Sequence, residues 1–154
     1  MIDLDRTDKK ILKLMQANAR ITNLELAERV GLSPTPCLRR VKRLEDSGVI
    51  ESHVTLLNAE ALGLNLAAYI SISMDRHTPD RFDSFQEAIS QMPEVLECAI
   101  VTGQDADFLL KIIVRDMRHY EELLLGQLTR LDGVTGVHTS FVLRKLIDKT
   151  EFPV

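Results

Sequence analysis

Cysteine occurs only twice in this chain, as Cys37 and Cys98, and neither has a paired partner in the sequence. A disulfide framework and a thiolate metal cluster are therefore excluded, and both residues read as small apolar core side chains. Histidine is equally sparse. His53, His77, His119 and His138 show no metal-like spacing, and each reads as a surface or packing residue. No glycine-rich phosphate loop is present. Glu121-Glu122 falls on a helical pattern as solvated surface. Catalysis needs a nucleophile, base or metal cluster in mutual reach, and no such group assembles. No apolar run approaches the ~20 residues that span a bilayer, and no signal-peptide pattern precedes the first helix. Internal repeats and low-complexity stretches are also missing. These absences point to a reducing cytoplasm, no membrane, no metal, no cofactor and no enzymatic activity.

What is present is a core and a divided charge. The 154 residues are 45% hydrophobic, enough for one medium domain or two small ones. The net charge of −4 conceals a split. Ten basic and eight acidic residues precede position 59, a net +2; nine and fifteen follow, a net −6. A mildly basic first part and an acidic remainder fit a nucleic-acid contact confined to one end.

The most informative segment is Ser33-Pro34-Thr35-Pro36-Cys37-Leu38-Arg39-Arg40-Val41-Lys42-Arg43-Leu44-Glu45. Ser33 suits an N-cap, and Pro34 suits the first helical position, where a missing N–H costs nothing. At about 100° per residue, Cys37, Leu38, Val41 and Leu44 share a face predicted to be buried. Thr35, Pro36, Arg39 and Arg43 lie opposite, with Arg40 and Lys42 on the flanks. A short helix with a buried rear and a cationic front fits a DNA major groove; the plainer reading is a solvated charged face. The residues before it favour DNA. Thr22-Asn23-Leu24-Glu25 matches a capping box, Leu26, Ala27 and Val30 form an apolar stripe, and Gly31 ends the helix. Helix, tight turn and basic helix in that order make a helix-turn-helix. Asp5 or Asp8 starts a covering helix with Ile11, Leu12, Leu14 and Met15. Thr35, Pro36 and Arg39 are expected nearest the bases, with Arg40, Lys42 and Arg43 toward phosphates. Gly48 closes the basic helix, and residues 49–57 read as extended, a wing or linking strand.

The second part changes period. Asn58 and Gly63 bracket one helical turn, and residues 64–74 alternate with Leu64, Leu66, Ala68, Ile70, Ile72 and Met74 on one side. Thr78-Pro79 opens a helix carrying Phe82, Phe85, Ile89 and Met92, which Pro93 ends. Residues 95–102 and 108–114 read as strands close enough for an antiparallel hairpin. Asp116 caps a helix predicted to turn Met117, Tyr120, Leu124, Leu128 and Leu131 inward, and Asp132-Gly133 leads into a last strand over 134–143. The order βαββαβ is ferredoxin-like, an antiparallel sheet with two helices on one face. Tyr69, Val101, Leu109, Ile113 and Phe141 are candidates for its other face, which a second subunit would cover. The fold class is thus α+β. Residues 1–50 are predicted to form a helix-turn-helix domain, 51–63 a linking strand and short helix, and 64–154 a ferredoxin-like oligomerisation domain.

With both parts in view, the chain resembles the Lrp/AsnC, or feast/famine, regulators of bacteria and archaea. The resemblance spans nearly the whole chain. It rests on Leu4-Asp5-Arg6-Thr7-Asp8-Lys9-Lys10-Ile11-Leu12, Glu25-Leu26-Ala27 and Val30-Gly31-Leu32-Ser33-Pro34-Thr35-Pro36. Arg40-Val41-Lys42-Arg43-Leu44-Glu45, Gly103-Gln104-Asp105-Ala106-Asp107-Phe108-Leu109-Leu110 and the tail Ser140-Phe141-Val142-Leu143 complete it. Thr7 departs from the aliphatic residue usual there. The resemblance implies a winged helix-turn-helix head and a ligand-sensing, effector-binding ferredoxin-like domain, in a transcriptional regulator that binds double-stranded DNA as a homodimer assembling to an octamer. It further implies a free amino acid as effector, bound between dimers near Gly103, Gln104, Asp105, Ala106 and Asp107. The chemistry of that loop suits a zwitterion: Asp105 or Asp107 for the ammonium, backbone N–H groups near Gly103 for the carboxylate. As residues alone, the same five make a hairpin turn. The alternative function is a ferredoxin-like small-molecule enzyme or metal sensor fused to a DNA-binding head.

Overall fold

The computed structural model describes residues 3–103 and 106–154. The chain divides into two compact units, one reaching to Leu56 and including Ile147–Val154, the other Leu57–Leu146.

The first unit is three short helices around one apolar cluster. Helix α1 spans Arg6–Ala17 and opens on a reciprocal cap: Asp5 accepts from the Asp8 N–H, and Asp8 accepts from the Asp5 N–H. Helix α2 spans Asn23–Val30; the Thr22 hydroxyl oxygen accepts from the Glu25 N–H at 3.2 Å, half of the capping box expected. Gly31 then turns the chain at φ 74°, a left-handed conformation that costs glycine little. Helix α3 spans Pro34–Asp46. Ile11, Leu12, Leu26, Ala27, Cys37 and Leu44 meet in the core. Residues 51–58 pair with no strand among the described residues, so the expected linking strand is absent. An extended segment becomes a strand only where a neighbour supplies N–H and C=O groups. The tail Ile147–Val154, expected with the second domain, clusters with the first unit. There Gln16 donates to the Phe152 carbonyl at 3.1 Å and accepts from the Phe152 N–H at 2.7 Å.

The second unit contains β1 (Leu66–Met74), α4 (Pro79–Ser90), β2 (Val95–Ile100), β3 (Phe108–Val114), α5 (Met117–Gly126) and β4 (Val134–Phe141). The antiparallel sheet runs β2-β3-β1-β4, the ferredoxin-like order. Ile70 pairs with Leu110 and Ile72 with Phe108, so their side chains share the face that Phe85, Ile89, Tyr120 and Leu123 cover. Tyr69, Leu109 and Ile113 lie on the opposite face, with Tyr69 41% exposed.

Three sequence expectations fail here for readable reasons. Phe141 pairs with Ala68 and meets Tyr120 at 5.0 Å, which puts it on the helix side of the sheet. A register shift at Ser73/Met74 hides that phase. Met117 sits in the first turn of α5 and stays exposed, while Leu123 takes the buried position. Cys98, expected in the core, lies on the outer strand β2 and is exposed.

These placements set unequal costs. Leu123→Ala, at 1% exposure, should lower stability by about 2–5 kcal/mol through lost burial and a cavity. Met117→Ala, at 55% exposure, should stay within about 0.5 kcal/mol. Urea unfolding of the two variants beside wild type measures both; similar losses would contradict the stated orientation of α5.

Candidate nucleic-acid interface and effector loop

The α2–α3 corner presents the N-terminal part of α3. The Asn23 side chain donates to the Pro34 carbonyl at 2.9 Å, fastening the start of one helix to the start of the next. Ser33 has the extended backbone of an N-cap, φ −74° and ψ 157°, yet its hydroxyl makes no capping bond. Thr35, Arg39 and Lys42 are exposed, Pro36 is half-buried, and Leu38, expected inside, is exposed.

The reason for that last difference lies in α1. Asp8 is fully buried, the only charged residue so placed among those described. Its two oxygens receive Arg40, at 2.8 Å, and Arg43. Arg40 also reaches Asp5 at 2.6 Å. The cationic run of α3 is therefore divided. Arg40 and Arg43 are held back toward α1, while Arg39 and Lys42 have no intramolecular partner among the described residues. The Arg40–Arg43 flank faces α1, and Leu38 stands on the other flank, at the rim of the buried stripe, where it is exposed. The N–H of Asp8, and then Arg40, hold the Asp5 carboxyl below its ordinary pKa of 3.8. Arg40 is raised in turn by Asp5 and Asp8.

Hydrophobic periodicity could not find this clamp. A usable signal was present nonetheless: Asp5 and Asp8 stand three residues apart, as do Arg40 and Arg43. Matched spacing on two helices lets two carboxylates face two guanidinium groups.

At the other candidate site, Gly103 has φ 91° and Ala106 is half-buried. Gln104 and Asp105 lie outside the described residues. Asp107 is engaged on all sides. One carboxylate oxygen accepts from the Met74 N–H at 2.7 Å, and the other lies 2.7 Å from His77 Nε2. Its backbone N–H donates to Ile72 at 2.8 Å, and its carbonyl accepts from Val101 at 3.0 Å. The loop is thereby tied to the exit of β1, and His77 is a member that sequence reasoning missed. Among the described residues no group of three or more His, Cys, Asp or Glu side chains is placed to hold a metal. No helix there is long and apolar enough to cross a membrane.

Residues 67–152 match the family model described as the Lrp/AsnC ligand binding domain, and residues 4–51 match a winged helix-turn-helix DNA-binding model. The chain belongs to the Lrp/AsnC family. This Lrp/AsnC-family chain is 45% identical over 144 residues to the leucine-responsive regulatory protein of Escherichia coli K12, covering 94% of this chain and 87% of that one. A transcriptional regulator from Neisseria meningitidis, solved in complex with L-Met, superposes with a TM-score of 0.93 at 42% identity, over 98% of this chain and 97% of that one. An AsnC family regulator from Agrobacterium tumefaciens gives 0.91 at 32% identity, over 97% of each chain. The family assignment makes this a DNA-binding transcriptional regulator with a ligand-binding domain.

The clamp in this Lrp/AsnC-family head makes two measurable demands. Asp8→Ala should cost about 1–3 kcal/mol, less than a fully buried pair, because both arginines keep partial access to water. Asp5 governs the acid side. Its folded pKa lies below 3.8, so its contribution is complete above that pH and is lost as pH falls through the folded value. Denaturant unfolding at a series of pH values should show Asp5→Asn with a flatter acid limb than wild type; an identical limb would remove Asp5 from the account.

Proposed function

We propose that the protein is an amino-acid-responsive transcriptional regulator whose paired heads read operator half-sites through α3. The observation that carries this is the divided cationic run. Arg40 and Arg43 are fixed by Asp5 and Asp8, while Thr35, Arg39 and Lys42 face outward without partners among the described residues. In this reading Thr35, Pro36 and Arg39 approach base edges, because the N-terminal part of a recognition helix enters the groove. Lys42 and the uncommitted Ser33 hydroxyl contact phosphates. Arg40 and Arg43 retain N–H donors beyond those Asp5 and Asp8 receive, so each bridges a carboxylate and a phosphate. Tyr69, Leu109 and Ile113 on the open sheet face support a dimer, which places two heads on half-sites about 34–36 Å apart or a multiple of that. Dimers then assemble further, to an octamer.

The effector in this reading is a free amino acid with an apolar side chain, held at the loop of Gly103, Gln104, Asp105, Ala106 and Asp107. The L-Met complex of the Neisseria relative supports that chemistry. Backbone N–H groups near Gly103 take the carboxylate, and Asp105 or Asp107 takes the ammonium. Asp107 has a second task, since its bonds to Met74 and His77 set the loop's shape. Binding shifts assembly or head spacing, and DNA affinity changes only by the effector's differential affinity for those states, typically about 1–3 kcal/mol.

Arg39→Ala should weaken operator binding by about 1–3 kcal/mol and relax sequence choice. Lys42→Ala should weaken all duplexes alike and flatten the salt dependence. Titrations at two salt concentrations separate these effects, and unchanged affinity for Arg39→Ala would refute the orientation given to α3.

For the effector, calorimetry with branched-chain, sulfur-containing and polar amino acids should find a selective ligand whose binding is lost in Asp107→Ala. If no amino acid binds, or if Asp107→Ala binds the same one equally well, the loop is only a turn. Light scattering at micromolar concentration checks the assembly, and a monomer would defeat the paired-head model.

A further inference from the structure

Leu38 is 56% exposed in the middle of the face proposed to meet DNA. Thr35, Leu38, Arg39 and Lys42 stand at positions i, i+3, i+4 and i+7, one continuous stripe of α3. All four are exposed, while Cys37 and Leu44 on the far side are fully buried. A leucine there adds nothing to the core. It also cannot bond a phosphate or the polar edge of a base. In the major groove the one apolar group on a base edge is the C5-methyl of thymine. Leu38 also lies in the first half of α3, the part of such a helix that enters the groove.

We infer that Leu38 is a specificity-determining residue that packs on the methyl group of a thymine in each operator half-site, beside the base read by Arg39. This rests on the proposed reading of α3 as the recognition helix. It assigns a different role from the cationic contacts: Arg39 reads by hydrogen bonds, Lys42 adds sequence-independent attraction, and Leu38 selects thymine by contact area. The clamp makes the assignment possible, since Asp8 holds the Arg40–Arg43 flank inward and leaves the Leu38 flank outward.

The test uses the full-length protein and a duplex selected by it from a random-sequence library. Each thymine of that duplex is replaced in turn by deoxyuridine, which removes only the methyl group. Wild type should lose about fourfold in affinity at one thymine per half-site, the worth of one buried methyl or methylene. Leu38→Ala should bind the thymine and deoxyuridine duplexes at that position equally, while Arg39→Ala should keep the difference. Leu38→Ala is compatible with folding because the side chain is exposed and alanine favours helix; an unchanged melting temperature confirms this. A wild-type protein indifferent to every replacement, or a Leu38→Ala protein with the full penalty, overturns the proposal while leaving α3 as the recognition helix. If the library yields no preferred sequence, or Arg39→Ala binds the selected duplex as wild type does, the reading of α3 fails and the Leu38 role with it.

Discussion

The N-terminal unit is organised around one buried carboxylate. Asp8 has no access to water, and a carboxylate in that position is costly unless its charge is matched and its oxygens are bonded. Arg40 and Arg43 supply the match, and the Asp5 N–H donates to it at 3.2 Å. The consequences run outward from there. The start of α1 is fixed by the exchange of caps with Asp5, and the roll of α3 is fixed by two guanidinium groups on one flank. That roll decides which side chains face away from the core. An apolar residue at position 8 would still allow three helices to pack. It would leave the rotation of α3 to be set by Cys37, Val41 and Leu44 alone, and packing of that kind tolerates small rotations that directional hydrogen bonds resist.

Asp107 is the counterpart in the second unit. Its carboxylate and backbone join the loop that follows β2 to Ile72 and Met74 at the end of β1, and to His77 just beyond. β1 is an inner strand, bonded to β3 on one side and β4 on the other. A change in the loop is therefore transmitted to a strand that cannot adjust without disturbing both neighbours. The edge strand β2 has only one ladder to disturb. The tie thus joins the candidate effector loop to one of the two inner strands of the sheet, which would suit a site whose occupancy must be felt elsewhere.

Much of this was legible in the sequence, and the reasons are local. Alternation over residues 64–74 exposed the buried face of β1, and glycine and proline marked most ends, since few residues accept a left-handed turn or lack an N–H. Failures occurred where a residue's place is set across elements. Leu38 stands at the rim of the apolar stripe of α3, and the charges on α1 hold the opposite flank inward. Phe141 was misplaced because the register shift between β1 and β4 alters the phase of alternation. Asp107 read as a free acid because its partners, Met74 and His77, lie far back in the chain. The family resemblance placed both candidate sites. It did not distinguish the arginines held by carboxylates from the cations left outward.

That distinction bears on how residues 1–58, of net charge +2, would read DNA in the proposed function. Attraction to phosphates is independent of sequence and grows with every cation presented, so a strongly basic surface binds all duplexes well and discriminates little. Here two of the four basic residues on α3 are partly neutralised by Asp5 and Asp8, which limits the long-range field of the face. In the proposed reading their remaining donors act at contact distance, where geometry matters. Arg39 and Lys42 have no carboxylate partner among the described residues, and Thr35 and Leu38 present uncharged surface beside them. In the proposed reading, the balance on this helix leans from general phosphate attraction toward contacts that only a particular base sequence can satisfy. In that reading a buried acid on a neighbouring helix would set that balance without touching the nucleic acid.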